Sequence, residues 1–336
     1  MDKVTFIVPA YNVEQYLPQT IESVLAQTEQ EWKMIIVDDC SSDRTAAIAC
    51  EYARKDMRIR VMQTESQSGC CYVPRKLAII AADTEIIAPL DADDAVEPTY
   101  LANLLQVMKR EEADIVYPRM YAWDGHEKRE LLSEFDESLT GKTISGYKAL
   151  ENTLNGWRIH CNGGLIRKEL YLKGFDSVNE QDGEIFSYID EYLTRVLLSR
   201  AGKVSITADS YLYRENPTSI THQVNIRAFG PYSNNIRIVD FIKSRYPADS
   251  TVYYLAQCQN FYGVFETFRL LRKMTLNSEE KAYVEELIKK SFRRVDRKVL
   301  SGRVSRKYYA LSQILFRVPP PAGYRLLSVI DTLLGK

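Results

Sequence analysis

Val4-Thr-Phe-Ile-Val-Pro-Ala-Tyr-Asn12, a β-branched run that stops at a proline, opens the stretch that decides the fold. A helix-period segment follows near residues 14–26, where Leu17, Ile21, Val24 and Leu25 fall at i, i+4, i+7 and i+8 on one apolar stripe. The alternation continues with a strand over 33–37, a helix near 43–55, a strand over 59–62, a helix near 73–82 and a strand over 85–90. The order βαβαβαβ predicts right-handed crossovers, a mostly parallel Rossmann-like sheet flanked by helices, and the α/β class. Beyond the acidic cluster Asp91–Asp94, residues 98–110 read as helix and 114–118 as strand, and the signal is weak and loop-rich to about 147. Residues 149–221 mix helix with short strands, with Gly156, Gly163, Gly164 and Gly174 in loops suited to lining a cleft. From about Gln223 the pattern is nearly all helical, so two domains are expected, 1–222 and an all-helical module over 223–336.

Composition narrows the class. The 336 residues are 45% hydrophobic and 26% charged, which excludes disordered and low-complexity chains. Lys plus Arg number 44 against 45 Asp plus Glu, a net charge of −1, so no nucleic-acid partner is expected from global charge. No run approaches the roughly 18–20 apolar residues of a membrane span, and the first residues lack a signal-peptide pattern, which predicts a cytoplasmic location. Six cysteines without zinc or disulfide spacing read as reduced thiols.

In an open parallel sheet, ligands bind beyond the carboxyl ends of the strands. Those ends carry Pro9-Ala10-Tyr11-Asn12, Asp38-Asp39-Cys40-Ser41-Ser42-Asp43 and Asp91-Ala92-Asp93-Asp94. Carboxylates crowded at one edge raise each other's pKa unless a cation or donors satisfy them. Oxygen-only ligands suit Mg²⁺ or Mn²⁺ bridging to substrate phosphates, which points to a nucleoside diphosphate. The competing reading makes Asp93 and Asp94 caps of the helix near Pro98, and Asp43 a cap of the helix after Ser42.

Four segments in register carry a resemblance: Val4 to Asn12, Thr20-Ile-Glu-Ser-Val-Leu-Ala-Gln27, Ile35-Ile-Val-Asp-Asp-Cys-Ser-Ser-Asp43 and Leu90-Asp-Ala-Asp-Asp94. They resemble the successive motifs of the family-two inverting glycosyltransferases of GT-A fold that build bacterial polysaccharides and glycoconjugates. The likeness covers the first 100 residues and, more loosely, the chain to about residue 222. It implies a donor site at Pro9, Ala10 and Tyr11, with Tyr11 flanking a uracil ring, Asp39 accepting from the uracil N–H and Asp91 facing the ribose and donor sugar. It makes Asp93 the ligand, with Asp91 secondary, of a Mn²⁺ or Mg²⁺ on the diphosphate of a UDP-sugar. Arg75 keeps the arginine of an Ala-Arg-Asn motif, but lysine stands at 76 in place of asparagine. Inverting transfer also needs a carboxylate base for the acceptor hydroxyl. The family's Glu-Asp pair falls on Ile189-Asp190, so Asp190 is the implied base and Glu191 its rival; the alternative makes Asp190 a helix-start acid and pairs Glu191 with Arg195.

Tyr211 to Ile220 resembles the family's closing strand and loop, which makes Arg214 and Ser219 candidates for the diphosphate. Trp157, Arg158 and His160, in a Gly-flanked loop, either wall an acceptor site or serve as core and ordinary polar residues. The acceptor implied is a glycan or lipid-linked glycan. Between Leu287 and Ala310 stand nine basic residues against one acid, and beyond Pro319-Pro320-Pro321 the segment Tyr324–Leu334 reads as a short helix with a broad apolar face. Over 287–336 three readings stay open: peripheral contact with an anionic membrane, self-packing on the catalytic domain, and a homodimer interface. Two rival functions are a sugar-nucleotide nucleotidyltransferase and a non-catalytic nucleotide- or glycan-binding relative. The first lacks its Gly-rich basic loop after the first strand, and Ile189 is the one feature that favours the second.

Overall fold

The structure is a computed structural model and describes residues 4–130, 137–157, 163–178, 188–216 and 225–300. The chain forms two compact units, residues 1–219 and 220–336. The expected boundary at 222/223 lies outside the described residues.

Among the described residues, the first unit holds one ten-stranded sheet. Strands β1 (Val4–Ala10), β2 (Trp32–Asp38), β3 (Ile59–Gln63) and β4 (Ile86–Pro89) lie in the order β3-β2-β1-β4, all parallel. Helices α1 (Leu17–Leu25), α2 (Thr45–Lys55) and α3 (Tyr72–Ala81) make the crossovers. β1 is buried along nearly its whole length, as expected of a strand covered on both faces. The α1 stripe buries Leu17, Thr20, Ile21 and Val24, with Leu25 only partly buried.

Beyond β4 the pairing becomes mixed. β5 (Ala95–Val96), α4 (Tyr100–Glu111), β6 (Ile115–Trp123), β7 (Lys128–Glu130), β8 (Thr143–Ser145), α5 (Gly146–Leu154), β9 (Leu165–Arg167), α6 (Lys168–Phe175), α7 (Ile189–Leu198) and β10 (Lys203–Arg214) complete the unit. The sheet continues β4-β9-β6-β10-β5, with β6–β10 the one further parallel pair.

Two expectations are corrected here. β6 runs five residues past the predicted end at Pro118, and β10 is a single twelve-residue strand rather than a short one. Both have one cause. The register between β6 and β10 shifts from Tyr117↔Ile206 to Arg119↔Ser210, so Pro118 sits at the irregularity, where it forfeits no ladder bond. Prolines and polar insertions that look like strand breaks are absorbed by the bulge.

Among the described residues, the second unit holds helices and no strand: α8 (Gly230–Arg245), α9 (Thr251–Lys273), α10 (Ser278–Arg293) and α11 (Arg297–Leu300). Asn277 and Glu280 form a reciprocal capping box at the start of α10. α9 buries Val252, Ala256, Phe261, Val264 and Phe268, and Phe261 meets Phe265 edge-on at 5.3 Å. No helix among the described residues is long and apolar enough to cross a membrane.

Candidate active site

Pro9 and Ala10 close β1 opposite Val37 and Asp38, and Tyr11 leaves the strand 41% exposed. Asn12 follows in the left-handed region at φ 50°, which asparagine tolerates better than most residues. Its N–H donates to Ser41 Oγ at 3.0 Å, and its Oδ1 accepts from the Ser42 N–H at 2.8 Å. The Glu14 and Thr45 N–H groups donate to the two oxygens of Asp43 at 3.1 and 2.9 Å. Partial burial pushes the Asp43 carboxyl up, but the bonds from Thr45 and Glu14 outweigh it and hold the group below its usual range. Asp43 thus ties the turns after β1 and β2 together at the start of α2, although the N-cap position itself is Arg44, which makes no side-chain cap.

Asp39 is buried and its carboxylate is held by the loop after β3. Oδ1 accepts from Thr64 Oγ1 at 2.9 Å and the Ser68 N–H at 3.0 Å; Oδ2 accepts from Ser68 Oγ at 2.8 Å and the Gly69 N–H at 3.3 Å. The residue expected to meet a uracil N–H is therefore already matched to donors of its own chain.

The Asp91–Asp94 turn is built from three directions. From α3, buried Arg75 reaches Asp91 Oδ1 with Nη2 at 2.9 Å. From α1, Thr20 Oγ1 lies 2.9 and 2.7 Å from the Ala92 and Asp94 carbonyls, held by its one proton. From β10, Tyr211 Oη donates to Asp94 Oδ2 at 2.6 Å and accepts from the Asp91 N–H at 3.2 Å, while the Arg214 N–H donates to Asp94 Oδ1 at 2.8 Å. Burial pushes the Asp94 carboxyl well up, and the charges of Asp93 and Asp91 push it further; the bonds from Tyr211 and Arg214 only partly oppose this. The three aspartates thus differ: Asp91 is paired with arginine, Asp94 is buried and favours its proton, and Asp93 stands half-buried. Neither Asp93 nor Asp94 caps α4, whose N-cap Thr99 also makes no side-chain bond.

Arg214 is held by its own chain. It is only 7% exposed, with its guanidinium 4.2 Å from the Trp123 ring centre and 5.0 Å from that of Tyr16. Its Nε donates to the Asp93 carbonyl at 2.6 Å and its Nη2 to Gln19 Oε1 at 2.5 Å. The side chain thus braces the acidic turn through the Asp93 carbonyl. Lys76, where the family motif has asparagine, lies over Tyr72 and Phe175 at 5.9 and 5.7 Å, so an aromatic pair takes up its charge.

Asp190 is the second residue of α7, which buried Ile189 opens directly after Tyr188 at φ 64°. Glu191 Oε2 lies 3.7 Å from Arg195 Nη1, the i, i+4 pair of the alternative reading. Burial pushes the Cys71 thiol up; the Arg75 charge works against this, and the charges of Asp190, Asp91 and Cys70 add to it. The charges of Asp91 and Asp190, 99 residues apart in the chain, thus both bear on one thiol. Trp157 is buried and edge-on to Tyr117 at 6.5 Å, the core arrangement rather than an acceptor wall. Arg158, His160 and Ser219 lie outside the described residues.

Sequence reasoning missed the parts played by Tyr211, Asn216, Gln19 and Thr20. The available signal for Thr20 was a polar residue inside the apolar stripe of α1; Tyr211 and Asn216 gave none beyond their place in the closing strand and the turn after it.

The donor chemistry fits a hard divalent ion. Asp93 Oδ2 accepts from Asn216 Nδ2 at 3.0 Å, and Oδ1 takes no bond among the described residues. No group of three or more His, Cys, Asp or Glu side chains forms a cage among those residues. One or two carboxylates completed by phosphate oxygens and water is how Mg²⁺ and Mn²⁺ are commonly bound.

The profile described as Glycosyl transferase family 2 matches residues 5–173, half of the chain. The chain belongs to glycosyl transferase family 2. It is a glycosyltransferase, and the match covers β1 through α6 with the acidic turn inside it. Among similar proteins, glycosyltransferase GlyG of Streptococcus pneumoniae serotype 4 is 27% identical over 65% of this chain and 72% of its own length. The poly(ribitol-phosphate) β-N-acetylglucosaminyltransferase TarS of Staphylococcus aureus is 26% identical over 63% of this chain, which spans only 35% of that protein. A crystal structure of S. aureus TarS 1–349 with UDP-GlcNAc superposes at a TM-score of 0.75, with 20% identity, covering 100% of this chain and 93% of that one, so the GT-A fold is shared.

Proposed function

We propose that this family-2 enzyme is an inverting transferase that moves a sugar from a UDP-sugar to a hydroxyl of a glycan or lipid-linked glycan in surface-polymer synthesis. The observation that carries the reading is the acidic turn on the carboxyl edge of the sheet, where Arg75 pairs with Asp91 at 2.9 Å and Asn216 holds only one oxygen of half-buried Asp93, in a chain of glycosyl transferase family 2. The fold shared with a TarS fragment crystallised with UDP-GlcNAc supports a uridine donor, and makes UDP-GlcNAc the first donor to try.

In this reading Tyr11, left exposed at the end of β1, stacks on the base, and Asp39 receives the uracil N–H by exchanging donors with the Ser68-Gly69 loop. Asp93 holds Mn²⁺ or Mg²⁺, with Asp91 as secondary ligand; the ion, when bound, neutralises the leaving diphosphate. Arg75 restrains Asp91, and Arg214 fixes the Asp93 main chain. Asp190 takes the proton of the acceptor hydroxyl as that oxygen bonds to the anomeric carbon and the bond to the diphosphate breaks. Glu191, engaged with Arg195, is the weaker candidate. The basic segment from residue 287 onward is read as a peripheral contact with an anionic membrane.

Calorimetric titration with UDP, with GDP as control, each with and without Mn²⁺, tests the donor site. The expected result is UDP binding that requires the metal. Absence of binding to either nucleotide overturns the donor assignment and moves weight to the non-catalytic relative, for which buried Ile189 in place of the motif glutamate is the supporting observation.

A further inference from the structure

The helical unit contains a cavity of about 450 Å³ between α8, the first turn of α9 and the junction of α10 and α11. That volume lies in the range of small-molecule sites. Five cations line it, Lys243, Arg293, Arg294, Arg297 and Lys298, against two acids, Asp240 and Asp296.

Both acids are already committed. Arg294 Nε contacts the two oxygens of Asp240 at 2.9 and 2.8 Å. Asp296 Oδ1 accepts from the Lys298 and Val299 N–H groups at 3.0 and 3.3 Å, and its Oδ2 accepts from Tyr253 Oη at 3.3 Å. Arg293 pairs with Glu286, outside the cavity, at 3.2 Å. Among the described residues, the ammonium groups of Lys243 and Lys298 take no partner, and both side chains are exposed. Like charges gathered around one concavity repel, and an anion seated among them removes that penalty. Ammonium and guanidinium groups together match the several oxygens of a phosphate better than the two of a carboxylate.

We propose that this cavity is a phosphate-ester binding site, separate from the donor site and formed within the helical unit. The group it takes is a phosphate mono- or diester, whose source is either a soluble polyol phosphate or a phospholipid head group. Lys243 and Lys298 supply the uncommitted charge, while the Arg294–Asp240 pair and the Tyr253–Asp296 contact hold the walls.

The test is calorimetric titration of the full chain with glycerol 3-phosphate, alongside co-sedimentation with vesicles of phosphatidylglycerol in phosphatidylcholine. Saturable binding of glycerol 3-phosphate is expected, weakened at least tenfold in Lys243→Ala/Lys298→Ala. Arg245→Ala, which removes a cation of α8 outside the cavity, should bind as the unchanged chain does. Vesicle binding that glycerol 3-phosphate competes away, with the same loss in the double variant, assigns the site to a lipid head group. Saturable soluble binding without vesicle binding assigns it to a polyol phosphate. Binding in neither arm, or binding unchanged in the double variant, overturns the proposal. Lys243→Gln/Lys298→Gln and a circular-dichroism melt separate lost charge from lost folding. Repeating the titration in Asp93→Ala, where the site should persist, keeps this outcome independent of the donor assignment.

Discussion

At the scale of single residues, three neighbouring aspartates are given different environments by side-chain partners that lie far from them in sequence. Asp91 has Arg75, Asp93 has Asn216 and an exposed edge, and Asp94 has Tyr211 and the Arg214 N–H. Asp93→Ala is expected to abolish metal-dependent UDP binding. Asp190→Asn should retain that binding and lose about 10²–10⁴-fold in transfer rate, the usual contribution of a general base. Transfer at the unaltered rate in Asp190→Asn, measured as UDP released with acceptor, removes Asp190 from the role. Asp94 gives a pH prediction with a definite sign. Its folded pKa is raised, so the folded chain holds a proton that the unfolded chain gives up above about pH 4. The stability this group contributes is complete below that pH and is lost as pH rises through the folded value. Asp94→Asn, neutral throughout, should melt progressively higher relative to the unchanged chain as pH rises; a difference in Tm that is constant with pH refutes the assignment.

At the scale of elements, the parallel half was legible because period and composition agree. β1, β2 and β4 are short runs rich in apolar residues, and α1 between the first two carries a single apolar stripe. The mixed half was not. β9 has three residues and β5 two, too short for alternation to register. β6 and β10 are long, but Pro118 and the polar residues near 208–210 interrupt their pattern at the bulge. The Gly163-Gly164 pair, read in sequence as cleft-lining loop, is instead a packing device at the entry to β9. Gly164 has φ +92°, and a Cβ there would lie 2.3 Å from the Val116 carbonyl oxygen. Its N–H donates to Tyr100 Oη at 2.8 Å. Gly164→Ala is expected to cost about 2 kcal/mol or more in stability, since left-handed strain of 1–3 kcal/mol adds to the contact. Denaturant unfolding measures it; a loss below about 0.5 kcal/mol shows that the strand entry relaxes freely.

At the scale of the whole molecule, the proposed membrane contact rests on residues 287–336, of which those beyond 300 lie outside the described residues. Removing residues 320–336 is expected to reduce co-sedimentation with anionic liposomes, and unchanged partitioning favours the self-packing or dimer reading. The sequence by itself determined the βαβαβαβ half of the sheet, the acidic residues on its carboxyl edge and the helical character of the second unit. All three are written in local periodicity and in the residues that end each run. Only the tertiary structure decided what each acid does. Asp39 is claimed by Ser68, Asp43 ties two turns together, Asp94 is buried against Tyr211, and Arg214 braces the Asp93 main chain. Protonation, pairing and exposure depend on partners up to about 120 residues away in the chain. Burial and charge act through space, and the local sequence around a carboxylate holds no record of who its neighbours are.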